Sequence, residues 1–200
     1  MKVCRVIRTF SILIALYGIG GQTTESEELL AGCPPILSRS RWRGRKTQAI
    51  DYITVPVKNV IIHHTVTNEC STEENCVLLL IDIQNFHIDN MELPDIGYNF
   101  IIGGDGNIYE GVGWHKTGAH TRGYNSRSMG IAFIGNFQDK LPNKKMLDAL
   151  KNLLDCGVEI GELDKNYKLF GARQVSATLS PGTKLYKELK NNWSHFVLNP

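Results

Sequence analysis

The chain has 200 residues, which is enough for one domain or two small ones. Hydrophobic residues make up 42% and charged residues 21% of the sequence, so a disordered chain, a collagen-like repeat and a coiled-coil rod are excluded. With 22 basic and 20 acidic residues the formal net charge is +2, and a strongly basic nucleic-acid-binding protein is therefore not expected.

Residues 1–21 have the three-part pattern of a secretory signal peptide: basic residues, an apolar run over residues 10–16, and small residues. A membrane anchor is the alternative, but this run is well below the ~20 apolar residues that span a bilayer. Cleavage near Gly20 or Gly21 removes three basic residues and no acidic ones, which leaves 19 basic and 20 acidic residues and a net charge of −1. We therefore predict a secreted, extracellular protein with neither membrane nor nucleic acid as a partner.

The segment after the signal peptide, residues 22–33, is predicted to form an N-terminal arm because its first part is polar and acidic. A single domain is predicted over residues 34–200. The stretch SRSRWRGRK at residues 38–46 is one possible patch for anionic ligands, but a short run of charge usually lies on a solvated surface. We expect Trp42 to pack against the domain while the arginines face solvent.

The periodicity of apolar residues predicts the first elements of this domain. Residues 57–65 (VKNVIIHHT) have a continuous apolar centre rich in β-branched side chains, which is typical of a buried strand. Ser71 and Glu74 have the spacing of a capping box, with Ser71 as the N-cap. This pattern predicts a helix that runs to about residue 89.

The later elements are predicted from the same apolar patterns of strands and helices. They are a hairpin with strands at 98–102 and 108–112, a strand at 129–137, a helix over 143–161, a strand at 167–175 and a final helix. Ser180 is predicted as the N-cap of the final helix, with Pro181 at its first position. Together the elements predict an α/β fold in which a central mixed β-sheet is flanked by about three helices.

Cysteine usage agrees with export. Cys4 leaves with the signal peptide, and four cysteines remain, an even number that suggests two disulfides in an oxidising compartment. Three pairings are possible. Cys70 and Cys76 are close enough in sequence for one bridge to close a short loop, and Cys33 would then join Cys156. A structural zinc site is the alternative, but the sequence contains no C-x-x-C pair.

Several strings in the chain resemble those of the peptidoglycan recognition proteins, animal relatives of phage and bacterial N-acetylmuramoyl-L-alanine amidases. The strings are VIIHHT (60–65), DIGYNFIIGGDGNIYEGVGW (95–114), GAHTRGYN (118–125), GIAFIGNF (130–137) and RQVSATLSPGTKLY (173–186). They cover roughly residues 34–197 in the family's order, and the Cys70/Cys76 pair matches the family's short disulfide. The resemblance implies an amidase-like fold.

The resemblance also locates the family's catalytic zinc site. Active members hold zinc by His, His and Cys beside a tyrosine, and in this chain the first ligand falls on His63 and the tyrosine on Tyr98. The other two ligand positions hold Ala172 and Ser180. Alanine has no donor atom, and a neutral serine hydroxyl is a poor zinc ligand near pH 7. The sequence therefore predicts no zinc, no other cofactor and no amidase activity.

A groove that binds muropeptides without cleaving them remains as the implied site. Its predicted lining is His63, His64, His87, Tyr98, Trp114, His120, Asn125, Arg127, Thr178 and Ser180. Side chains of these types hydrogen-bond amides and carboxylates and present flat apolar faces. Structural alternatives stay open: a core histidine for His63, a core aromatic residue for Trp114, a loop hydrogen bond for His120 and an N-cap for Ser180. Selectivity between lysine-type and diaminopimelate-type stem peptides also stays open.

Three functions are consistent with this pattern. The favoured one is a secreted pattern-recognition receptor that binds bacterial peptidoglycan and triggers an immune cascade. The resemblance implies that it acts with a glucan-binding-type protein and serine proteases upstream of Toll. The second is a stem-peptide hydrolase in which Ser180 is the nucleophile and His63 the base. The third is a carrier or scaffold whose groove no longer binds peptidoglycan.

Overall fold

A mixed six-stranded sheet organises the protein in the computed structural model, which describes residues 33–200. The strands are β1 (Ile36–Leu37), β2 (Val57–His64), β3 (Phe100–Ile102), β4 (Ile108–Glu110), β5 (Met129–Phe133) and β6 (Leu163–Gly171). Their order across the sheet is β1-β4-β3-β5-β2-β6, and only the β3–β4 hairpin is antiparallel. The helices are α1 (Glu73–Asn85), continued by a π-helical turn (Phe86–Asn90), α2 (Lys144–Glu159) and α3 (Thr183–Asn192). The predicted mixed sheet with three helices is confirmed.

The predicted signal peptide (1–21) and all but the last residue of the predicted arm (22–33) lie outside the described residues. Between residues 33 and 200, no helix is both long and apolar enough to cross a membrane.

Alternation of side chains along β2 divides the core into two layers. Val60 and Ile62 pack into the cluster that contains the apolar residues of α2 and α3. Ile61 faces the other way, and His63 shares that opposite face because it is two residues further along the strand. The same face carries Ile101, which packs against α1. His63 therefore lies on the α1 side of the sheet.

Several predicted boundaries differ from those of the structure, including the end of the strand predicted over 129–137, which lies at Phe133. The N-cap of α1 is Thr72 rather than Ser71, since the Thr72 hydroxyl accepts from the Asn75 N–H (3.3 Å). The final helix begins at Thr183, after Gly182, so Ser180 does not cap it. The strand predicted over 167–175 occupies residues 163–171 instead. It is an edge strand of the sheet, and the polar side chains of its first half hide the apolar pattern.

The Arg-rich stretch packs more closely than predicted. Trp42 is fully buried, as expected, and its indole N–H donates to the Glu110 carbonyl (2.8 Å). The expectation that the arginines face solvent is wrong for Arg39, whose side chain is 17% exposed and contacts Asp95 at 3.0 Å. Arg41 and Arg45 also form ion pairs, with carboxylates of α1 and of the π-helical turn. Arg39, Arg41 and Arg45 each have a carboxylate partner, which explains why the stretch packs more closely than predicted. These three arginines are therefore not free to bind an anion.

Both predicted disulfides are present. Cys33–Cys156 joins the start of the described chain to α2 over a sequence separation of 123 residues. Cys70–Cys76 closes a separation of six residues and ties the loop after β2 to α1. The short bridge thus positions a loop that borders the candidate site.

Candidate functional site

A cluster of imidazole and phenol rings lies on the α1 side of the sheet. The ring centroid of His63, near the carboxyl end of β2, is 5.4 Å from that of Tyr98 and 5.3 Å from that of His120. His87, from the π-helical turn, is 5.5 Å from Tyr98. Ligands of open α/β sheets commonly bind at the carboxyl ends of parallel strands. Four of the predicted groove residues are therefore brought together at such an edge.

Thr121 joins two of these rings. Its hydroxyl oxygen is 3.1 Å from Nδ1 of His120 and 3.3 Å from Nε2 of His63. The Asn125 side-chain oxygen accepts from the backbone N–H groups of His120 (3.0 Å) and Thr121 (2.7 Å). Asn125 thus holds the loop that carries His120 and Thr121. The His120 ring lies so close to Gly130 that a Cβ there would overlap it.

Burial keeps these imidazoles neutral at pH 7. It lowers the pKa of His63 well below the ordinary value, and the neighbouring His120 and His64 lower it further. Burial also lowers the pKa of His120 to about 4 and is the main cause of the lowered pKa of His87. A neutral imidazole has one donor and one acceptor nitrogen, which suits it to amide groups.

An open cleft of about 470 Å³ adjoins the cluster. It is lined by Thr65, Thr67, Leu79, Asp82, Ile83, Phe86, His87, Met91 and Tyr98. Burial raises the pKa of the Tyr98 hydroxyl to about 12, so it is protonated, and it makes no hydrogen bond within residues 33–200. Nδ1 of His87 accepts from the Gly97 N–H (3.0 Å), which places the imidazole proton on Nε2. The cleft therefore offers two polar groups for a ligand.

The apolar wall of the cleft was not among the predicted site residues. Phe86 and Met91 are 55% and 51% exposed although both are large and apolar. The available signal was Phe86 directly before His87 near the end of a predicted helix, and Met91 four residues after His87. That signal is weak because single exposed apolar residues are common on protein surfaces.

Ser180 and its neighbours form a second group of predicted residues. The Ser180 hydroxyl accepts from the His64 backbone N–H (3.1 Å), and the Thr178 hydroxyl accepts from the Ser180 N–H (3.1 Å). Nδ1 of His64 accepts from the Phe137 N–H (3.2 Å), while burial, and secondarily Arg173, lowers the His64 pKa to about 4. Within residues 33–200 no imidazole is hydrogen-bonded to the Ser180 hydroxyl, so the base required by a serine nucleophile is not in place.

Two predicted residues lie away from the cleft. The Trp114 ring packs against Phe100 at a centroid distance of 4.4 Å, in the cluster on the α2 side of the sheet. This placement favours the core alternative for Trp114, because the sheet separates it from His63. Arg127 lies beside Asn59, whose side-chain N–H donates to its carbonyl (3.0 Å), and Asn59 precedes His63 by four residues on β2.

Comparison with known proteins agrees with this architecture. Residues 54–183 match the family model of the N-acetylmuramoyl-L-alanine amidases. The chain is 53% identical to peptidoglycan-recognition protein 2 of Holotrichia diomphalia over 172 residues, which are 86% of this chain and 91% of that relative. The bumblebee PGRP-SA structure superposes with a TM-score of 0.82 at 49% identity and covers 84% of this chain and 100% of that one.

A further solved neighbour carries a ligand. It is peptidoglycan recognition protein LE in complex with tracheal cytotoxin, a monomeric diaminopimelic acid-type peptidoglycan. It has a TM-score of 0.80 and 44% identity, over 81% of this chain and 95% of that chain. The fold and the matched model define a protein of the N-acetylmuramoyl-L-alanine amidase type. Within that class, the chain belongs to the peptidoglycan recognition protein family.

Ala172 and Ser180 are the residues that the sequence resemblance aligned with the family's zinc positions. Ala172 directly follows Gly171, which pairs with Ile62 beside His63, and it is fully buried among apolar side chains. Ser180 has its hydroxyl on a backbone N–H. In the part of the chain that the structure describes, no three His, Cys, Asp or Glu side chains are grouped so as to hold a metal ion. Three donor side chains are the usual minimum for catalytic zinc.

Proposed function

We propose that the protein is a secreted pattern-recognition receptor of innate immunity that binds bacterial peptidoglycan without hydrolysing it. The observation that carries this proposal is the cleft beside Tyr98 and His87, which combines two unpaired polar groups with an exposed apolar wall. Such a surface suits a stem peptide, whose amide groups need hydrogen bonds and whose side chains have apolar parts. The related protein solved with tracheal cytotoxin supports the same ligand class.

Loss of zinc chemistry is compatible with retained binding. Contacts that hold the ground state of a substrate are distinct from those that stabilise its transition state, and only the latter need the metal-activated water. The chain keeps His63 and Tyr98 but has Ala172 and Ser180 at the other ligand positions. We therefore propose a receptor that uses an inherited substrate cleft.

The remaining parts of the proposal concern location and signalling. Export would follow from a signal peptide at residues 1–21, an arm at 22–33 and a recognition domain at 34–200. Both disulfides support an oxidising compartment. The downstream partners we propose are a glucan-binding-type protein and serine proteases upstream of Toll.

Removal of the Tyr98 hydroxyl tests the cleft. We expect Tyr98→Phe to weaken muropeptide binding about five- to 150-fold, because truncation of one buried hydrogen-bonding partner costs roughly 1–3 kcal/mol. His87→Asn should have a similar effect, since it keeps an acceptor for the Gly97 N–H but lacks the Nε2–H donor. Isothermal titration calorimetry with lysine-type and diaminopimelate-type muropeptides measures both losses.

Two controls separate binding from folding. Tyr167→Phe removes a hydroxyl on the α2 side of the sheet and should leave affinity unchanged. Thermal unfolding should show that Tyr98→Phe and His87→Asn keep nearly the wild-type melting temperature. Normal affinity in both cleft variants would show that recognition occurs on another surface.

Metal content tests the non-catalytic part of the proposal. We expect the purified protein to contain no stoichiometric zinc and to release no stem peptide from peptidoglycan. Ala172→His combined with Ser180→Cys restores the missing donors and should bind about one zinc per chain, whereas Ala172→His alone lacks the thiolate and should bind zinc more weakly. Mass spectrometric metal analysis after dialysis gives the stoichiometry. One zinc per wild-type chain, or amidase activity, would contradict the proposal.

A further inference from the structure

We infer that a second ligand site, for a phosphate-bearing ligand, is formed by Lys58, Arg127 and Lys168 near the amino end of β2. The three side chains line an open pocket of about 480 Å³. Lys168 pairs with Asn59, the neighbour of Lys58, across β6 and β2, and the backbone carbonyl of Arg127 accepts from the Asn59 side chain. This site goes beyond the proposed function, which concerns only the cleft beside Tyr98.

The pocket at Lys58 and the cleft beside Tyr98 lie at different places along β2. Asn59 and His63 are on the same face of β2 and four residues apart, which corresponds to about 13 Å at the usual strand rise. None of the residues that line the cleft beside Tyr98 lines the pocket at Lys58. A ligand at one site therefore leaves the other free, and a long polymer has room to contact both.

Arg127 is held in place before any ligand arrives. Its guanidinium lies 4.2 Å from the centre of the Tyr124 ring, and its Nε–H donates to the Gly123 carbonyl (3.2 Å). The Tyr124 ring in turn packs edge-on against Phe170 at 5.8 Å. The two terminal nitrogens make no hydrogen bond within residues 33–200. A fixed guanidinium with a free planar fork matches two oxygens of a phosphate.

Charge in the pocket favours an anion. Among residues 33–200, none of the three cations forms an ion pair, in contrast to Arg39, Arg41 and Arg45. The carboxylates at the pocket are the Asp164 side chain, whose Oδ1 accepts from the Asn166 N–H (2.8 Å), and the terminal group of Pro200, which also lines the pocket. Three positive charges and two negative charges leave a local excess of one positive charge, which attracts an anion.

Titration calorimetry at low ionic strength tests this site with the full chain. The probes are inorganic phosphate, a short poly(glycerol phosphate) chain and poly-glutamate. We expect the phosphate polymer to bind, and Lys58→Gln, Arg127→Gln and Lys168→Gln each to weaken that binding at least about fivefold, since charge-assisted hydrogen bonds are the strong ones. Asp164→Asn should tighten binding severalfold by removing the repulsive charge. If inorganic phosphate binds as well as the polymer does, a single phosphate group is sufficient for recognition. If only the polymer binds, the ligand is the repeated glycerol phosphate unit.

Matched variants keep the test specific. Lys187→Gln makes the same charge change at an exposed lysine of α3 and should leave binding unchanged. Tyr98→Phe should also leave phosphate binding unchanged while it weakens muropeptide binding, so the two sites fail independently. The inference is overturned if neither phosphate probe binds, if poly-glutamate binds as tightly as the phosphate polymer, or if Lys187→Gln weakens binding as much as the pocket variants do.

Discussion

Removal of the long disulfide, by Cys33→Ala with Cys156→Ala, should lower the free energy of unfolding by about 4–5 kcal/mol. The bridge spans 123 residues, and in the chain-entropy model a loop of that length restricts the unfolded chain strongly. The same model gives only about 2–3 kcal/mol for Cys70–Cys76, which spans six residues. Urea unfolding of the two double variants and the wild type measures the difference.

Alanine is the replacement of choice because Cys156 is buried and a serine hydroxyl there would need a partner. Each double variant serves as the control for the other, since both remove two sulfur atoms. Equal losses, or a larger loss for Cys70→Ala with Cys76→Ala, would show that native-state contacts rather than chain entropy determine the contribution of each bridge.

Asn99→Ala should destabilise the protein by about 3–5 kcal/mol. The Asn99 side chain is fully buried and donates to the carbonyls of Gly113 and Lys116 (both 2.9 Å), while its oxygen accepts from the Gly130 N–H (2.9 Å). Alanine leaves these three backbone groups without their partner, and each buried unsatisfied group costs about 1–3 kcal/mol. Chemical denaturation with a two-state fit provides the measurement.

The consequences of this variant extend to the cleft. Asn99 ties the segment after β4 to β5, and His120 follows that segment and rests on Gly130. Muropeptide affinity should therefore fall together with stability. Asn192→Ala, which removes a single exposed hydrogen bond to Glu188, should change stability by less than about 0.5 kcal/mol. A loss below about 1 kcal/mol for Asn99→Ala would mean that water replaces the amide.

Much of the fold was predictable because its signals are local. A run of β-branched residues at 57–65 marks β2, which occupies residues 57–64. The turn GGDGN marks the hairpin between β3 and β4, where Asp105 accepts from the Asn107 N–H. The pairing of the cysteines followed from their number and from the short spacing of one pair, and it is confirmed. Apart from the Cys33–Cys156 pairing, which follows by elimination, each of these signals depends on residues that are close together in the chain.

The sequence by itself determined the family strings and that positions 172 and 180 hold alanine and serine, which fixes the donor chemistry available there. Only the tertiary structure decided what each predicted site residue contacts. Ser180 meets the backbone of His64 across 116 residues, and His63 meets Thr121 across 58. Such partners come from loops whose approach depends on strand order and packing, and no local pattern encodes them. For the same reason Trp114 lies across the sheet from the cleft, while Phe86 and Met91 line it.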